Sequence, residues 1–255
     1  MDTNALLDVT AYAGRLLLQS GAETYRVEET MVRIAQSFGV EDAQSFVTTT
    51  GVMLSITNEQ KTYSKIVRVQ ERGVDLHRID LLNALARKLY KEPCSIEELY
   101  EELQRIEQEP RYSFLVTMFF GALGAAGFAI FFKGTYVEAS VAFVIGLAIK
   151  WIQMFMERFQ MNVFFSHSIG AGLAAFLAFS FCTLYPQAHA DTIIISSIML
   201  LVPGLAITNA IRDTMAGDYL SGLSRAVEAF LIAIAIAVGT GAVLQCWLVF
   251  LEGQL

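Results

Sequence analysis

SFLVTMFFGALGAAGFAIFF, Ser113–Phe132, runs for 20 residues without a charged side chain. At about 1.5 Å per residue such a run makes a helix of roughly 30 Å, the thickness of a bilayer's hydrocarbon core. The stretch predicts a transmembrane helix. Its glycines and alanines, in "FFGALGAAGFAIFF", align Gly121 with Ala125 and are read first as a packing surface for neighbouring helices, because small residues let helices approach closely in lipid.

Toward the carboxyl end, four further apolar stretches follow, near 136–155, 163–184, 192–211 and 226–251, so about five spans are expected. Toward the amino end the character changes, because 13 of the 18 Lys and Arg lie within Met1–Arg111. The chain is 55% hydrophobic and only 17% charged, with a mean hydropathy of +0.49, beyond an ordinary soluble domain. The expected fold is a polytopic α-helical membrane protein, with a cytoplasmic α+β domain over 1–111 and a transmembrane domain over 112–255.

The opening MDTNALLDVTAYAG has no basic flank, unbroken apolar core or small-residue cleavage pattern, which reads against a secretory signal. Helical spacing over Ala5–Ser20 is followed by "SGAE", read as a break at Gly21 with an S-x-x-E capping box from Ser20 to Glu23, and then a second helix to about Phe38. "SFVTTTGVMLSI" and "KTYSKIVRV", separated by the polar "TNEQK", predict a small antiparallel sheet between Gln44 and Gln70. Helical spacing returns in "VDLHRIDLLNALARKLYK", Pro93 ends it, and a second S-x-x-E box, Ser95 to Glu98, starts another helix.

With the first domain inside, Lys133 is the basic residue of the outer loops, whereas Arg158, Arg212 and Arg225 lie in inner connections and Lys150 near the inner end of the second span. That asymmetry places the amino terminus in the cytoplasm and, with an odd number of spans, the tail EGQL outside. A formal charge of −7 and the lack of basic-aromatic interleaving argue against nucleic acid as a partner. Cys94, Cys182 and Cys246 have no CxxC spacing and receive no redox or metal role, and neither a metal nor a cofactor is expected.

The expected fourth span carries the strongest functional signal. Pro203 and Gly204 interrupt it after 11 apolar-weighted residues from Thr192, near the bilayer midplane, and broken helices at that depth form transport sites. An ordinary proline kink is the competing reading. Beyond the break, Asn209, Arg212 and Asp213 share one helical face with Thr208 beside it. After Gly217 and Asp218, Ser221, Ser224, Arg225 and Glu228 make a second face. Arg can bind a carboxylate with two donors and Asp or Glu can take an ammonium or a proton, so Pro203, Gly204, Thr208, Asn209, Arg212, Asp213, Asp218, Arg225 and Glu228 are the candidate path for a small polar metabolite. A solvated inner loop with ordinary salt bridges is the alternative. His167, ionisable inside a span, is a candidate proton relay or a satisfied packing residue, and Lys150 with Glu157 reads as surface anchoring.

"SGAETYRVEETM", "TTTGVMLSI" and above all "VPGLAITNAIRDTMAGDYLSGLSRAVEA" resemble the threonine/serine exporter family over essentially the whole chain. The resemblance implies a component of a bacterial inner-membrane exporter of threonine and serine, or of dicarboxylates such as succinate. It also implies similarity to the larger subunit of a split exporter, completed by a smaller polytopic membrane subunit or by self-association. The family motif falls on Pro203, Gly204, Asn209, Arg212, Asp213, Gly217, Asp218, Gly222, Arg225 and Glu228. Transport driven by the proton motive force is the leading expectation, and a membrane-anchored sensor or regulatory scaffold the alternative. An enzyme is not expected, because GxSxG, HExxH and phosphate-loop patterns are absent from the sequence.

Overall fold

A computed structural model describes residues 2–58, 60–70, 73–110 and 112–252. Arg111, expected at the domain boundary, and residues 253–255 of the tail expected outside lie beyond the described residues. The chain forms two compact units, Met1–Pro110 with Leu205–Val227, and Arg111–Gly204 with Glu228–Leu255.

In the first unit, α1 (Thr3–Gln19) begins where the Asp2 carboxylate accepts from the amides of Asn4 and Ala5, and it buries Leu6, Leu16, Leu17 and Leu18. Its end is fixed by Gly21 at φ 90, with the amides of Gly21 and Ala22 donating to the carbonyls of Leu18 and Leu17 at 3.1 Å. The capping box expected from Ser20 to Glu23 does not form. Ser20 belongs to the end of α1, its hydroxyl donating to the Leu16 carbonyl, while Glu23 precedes α2 (Thr24–Ser37) and makes no side-chain cap. The box at Ser95 and Glu98 does form and starts α4 (Ile96–Gln108). The patterns match, but the glycine inside S-G-A-E makes the serine a helix end instead of a helix start.

The sheet is an antiparallel meander, β1 (Asp42–Thr48), β2 (Gly51–Asn58) and β3 (Lys61–Arg68), in the order β1-β2-β3. "SFVTTTGVMLSI" turns back on itself at Thr49–Thr50, so one apolar run becomes parts of two strands. Val47, Val52, Leu54 and Ile56 are buried with Val27, Met31 and Ile34 of α2, Leu82 and Leu89 of α3 (Leu76–Lys91), and Leu99 and Leu103 of α4.

The second unit contains α5 (Phe114–Phe131), α6 (Tyr136–Arg158), α7 (Val163–Leu184), α8 (Ala190–Ile198) and, from Glu228, most of α10 (Tyr219–Glu252). Among the described residues, four helices are long and apolar enough to cross a membrane: α5, α6, α7 and α10 over Tyr219–Val249. The polarity is reversed relative to a soluble core. Ala122, Ala125, Ala129, Ala139 and Ala142 are inside, whereas Phe120, Phe131, Phe165 and Phe230 face out. Such an exterior requires lipid, and small residues inside let the backbones approach. This is a membrane protein. A Cβ at Gly239 of α10 would overlap the Ser168 backbone of α7, so only glycine permits that crossing.

The expected fourth span is not one helix. α8 stops at Ile198, turns occupy Met199–Val202, and α9 (Gly204–Met215) begins anew, with Leu205 onward joined to the first unit. The interruption starts about one turn before Pro203. Proline disfavours helical geometry at the preceding residue, and the chain closes its turns through Leu201 N–H to Ile198 O and Gly204 N–H to Val202 O, both 2.8 Å.

Candidate functional site

Two glycine turns of the first unit face one another, α1–Gly21–α2 and α9–Gly217–α10. The second repeats the geometry of the first, since Gly217 has φ 94 and the amides of Gly217 and Asp218 donate to the carbonyls of Thr214 and Asp213. At the first turn a helix ends and another begins, which leaves unpaired carbonyls beside unpaired amides.

Side chains of α9 and α10 satisfy both kinds. Asn209 Nδ2 donates to the Gly21 carbonyl at 2.9 Å, and Arg225 Nη2 to the Ala22 carbonyl at 2.8 Å. Asp213 Oδ1 accepts the first amide of α2, Thr24 N–H, at 3.1 Å, and Asp218 Oδ2 accepts the Thr24 hydroxyl at 2.7 Å. The cation thus meets the carbonyl end of α1 and the carboxylates meet the amide end of α2, as the helix dipoles favour. At the rim, Arg212 Nη1 donates to Glu23 Oε1 at 2.5 Å. The Arg212 side chain is 56% exposed, so it is open to a solute as well.

Inside, Asp213 is fully buried and Arg225 nearly so. Arg225 Nε lies 2.9 Å from Asp213 Oδ2, an ion pair, but the N–H is not aimed along that line, so neither atom completes a hydrogen bond there. The buried Ser221 hydroxyl also has no hydrogen-bond partner.

Burial pushes the Glu28 carboxyl above its ordinary value, the Val47 amide opposing the shift and the neighbouring Asp218 and Asp213 charges adding to it. Burial would raise Glu23 too, but its own backbone amide, Arg212 and Arg26 together bring it below the ordinary value.

The profile of a family described as "Putative threonine/serine exporter" matches residues 8–247. The chain belongs to this family. Among relatives of this threonine/serine exporter family member, the "Probable threonine/serine exporter" of Mycobacterium tuberculosis is 23% identical over 94% of this chain and 46% of its own length. The "Threonine/serine exporter" of Corynebacterium glutamicum is 22% identical over 94% and 51%. The "Probable succinate transporter subunit YjjP" of Escherichia coli is 24% identical over 92% and 91%. The chain therefore spans about half of the two exporters and nine-tenths of the E. coli protein. No solved structure matches it.

In this exporter-family chain, Asn209, Arg212, Asp213, Asp218 and Arg225 come together as described. Thr208 is exposed on α9, and Pro203 and Gly204 belong to the second unit, as do Glu228 and His167. His167 Nδ1 is 2.8 Å from the Val163 carbonyl one turn back, a local helix bond. Among the described residues, no group of His, Cys, Asp or Glu is arranged to hold a metal ion.

Glu23, Thr24 and the Gly21–Ala22 carbonyls enter the site without having been candidate site residues, although they lie in the SGAETYRVEETM stretch that carries part of the family resemblance. A second polar centre was missed in the membrane unit. Buried Glu138, at the start of α6, accepts Thr135 N–H at 2.6 Å, His189 N–H at 2.7 Å, and lies 2.8 Å from His189 Nδ1. The T-x-x-E pattern of Thr135–Glu138 before an apolar run was its signal.

Proposed function

We propose that this chain is a component of an exporter of small polar metabolites, amino acids such as threonine and serine or dicarboxylates such as succinate. The observation that carries the reading is the buried Asp213–Arg225 ion pair with exposed Arg212 at its rim, a carboxylate and two guanidinium groups of the kind that recognise a zwitterion or a carboxylate. In this reading buried Asp213 is the carboxyl that carries a coupling proton, and the concentration of lysine and arginine in Met1–Arg111 supports an inner-membrane orientation with the amino terminus in the cytoplasm. A smaller membrane subunit completes the exporter, since the E. coli relative of similar extent is named a subunit.

In the chain, Asn209 and Asp213 of α9 follow directly after the interruption at Met199–Pro203. In proteoliposomes holding this chain and its partner subunit, labelled threonine, serine or succinate should exchange down its gradient. Pro203→Ala and Arg212→Ala should lower flux while leaving insertion intact. If none of the three solutes moves, the exporter reading fails and the alternative, a membrane-anchored sensor using the α+β unit, takes its place.

A further inference from the structure

α9 and the first turns of α10 are inside out. At 100° per residue, Ile207, Ile211 and Met215 lie along one side of α9, and Asn209 and Asp213 along the side opposite. In a soluble protein the first set is buried and the second meets water. Here Asn209 and Asp213 are buried in the first unit, and Ile207, Ile211 and Met215 are exposed, Met215 at 83%. α10 repeats the reversal: Ser221 and Arg225 are buried, whereas Tyr219, Leu220, Leu223 and Val227 are exposed on the other side.

What covers this face follows from the continuity of α10, one helix from Tyr219 to Glu252 that qualifies as a membrane span over Tyr219–Val249. Its exposed stripe does not stop at Val227 but runs on through Phe230, Leu231, Ile234 and Val238, the face that lipid must cover in a span. The same side chains, with the same spacing, continue the surface onto the amino-terminal turns. α9 is joined to those turns by Ala216–Asp218 alone and presents the same polarity.

We propose that the α9–α10 hairpin, Gly204–Val227, is immersed in the bilayer with Ile207, Ile211, Met215, Leu220, Leu223 and Val227 against lipid. The first unit's α1–α2 turn acts as the polar cover for its other side. The charged stretch between the last two apolar runs is then a membrane-embedded element and not an aqueous loop. The polar groups of Asn209, Asp213 and Arg225 are tolerated there because protein, and not lipid, satisfies them, and the exposed Arg212 stands at the edge of the hairpin, where it pairs with Glu23 of the α1–α2 turn. The inference rests on the membrane assignment and is independent of any transported solute.

Nitroxide labels placed singly by Ile207→Cys, Ile211→Cys, Met215→Cys and Leu223→Cys test it in the full chain, with Cys94, Cys182 and Cys246 replaced. The protein is reconstituted in phosphatidylcholine–phosphatidylglycerol vesicles, with Phe230→Cys as the lipid reference and Arg33→Cys as the aqueous one. Oxygen should relax the hairpin labels as strongly as the Phe230 label, and a water-soluble nickel chelate should relax them at least several-fold less than the Arg33 label. High nickel accessibility would overturn the proposal in favour of an aqueous loop. Low accessibility to both reagents would overturn it in favour of a protein partner on this face. All four labels replace exposed side chains, and a photoactivatable phospholipid crosslinking to Met215→Cys but not to Arg33→Cys gives a second readout.

Discussion

Asp213 and Arg225 were legible as charged residues on helical faces, but the sequence placed them on two separate faces flanking a glycine turn. The structure instead pairs them across that turn and buries both. The reason is local: the glycine at 217 reverses the chain, so α10 returns along α9 and position 225 reaches the level of 213. Breaking a buried ion pair from one side leaves an uncompensated charge, which costs about 3–5 kcal/mol, whereas removing both partners costs much less. Arg225→Met alone and Asp213→Asn alone should each lower the thermal midpoint in detergent, because each leaves the other buried charge without its partner. The double variant should recover part of the loss, giving a coupling of about 1–3 kcal/mol in a double-mutant cycle. Strict additivity would mean the misaligned Nε contact adds nothing.

Elements were readable where a single local pattern governed them and misread where two patterns overlapped. The Ser95–Glu98 box held because nothing between those residues breaks a helix, while the same spacing at Ser20–Glu23 failed because Gly21 ends α1 first. Four long apolar helices followed from run length alone. The 192–211 run was long enough on composition, yet Val202 before Pro203 and the turns at Met199–Val202 split it, and the second part carries a buried polar face that a span in lipid cannot expose. Glycine roles differ in the same way. Gly239 is filled to contact by the Ser168 backbone, whereas Gly241, two residues on, has open space where a Cβ would go. Gly239→Ala should push α7 from α10 and cost about 2 kcal/mol or more of stability, and Gly241→Ala in the same helix should be neutral or slightly stabilising. Thermal unfolding of the two variants in one detergent separates the effects; equal midpoints would mean that the crossing yields without strain.

The least legible feature of the whole molecule is that its first unit is discontinuous, because nothing in periodicity or charge says that Leu205–Val227 folds with Met1–Pro110. Only a three-dimensional match between helix ends and side-chain charges does so, and the partners stand 188 to 203 residues apart in Asn209–Gly21, Thr24–Asp213 and Arg225–Ala22. The α+β segment was recognisable as a domain from its composition, yet its α1–α2 turn has its carbonyls and first helical amide satisfied by a segment that follows three apolar helices. A fragment of residues 1–110 should therefore keep the sheet and the α1, α3 and α4 core while losing the partners of Gly21, Ala22 and Thr24. Hydrogen exchange reads this directly. The Thr24 amide, which donates to buried Asp213, should be slow in the full chain and faster by at least about tenfold in the fragment, a local change of about 1.4 kcal/mol. Amides of Val52 and Leu54 in the central strand should stay protected in both. A full chain with Asp213→Ala, which loses this acceptor and the partner of Arg225 together, should show the Thr24 change with Val52 and Leu54 still protected, which separates loosening at the turn from loosening of the whole unit. If Thr24 is equally slow in the fragment, the turn is closed by α2 itself and the second segment is a passenger on the unit, not part of its fold.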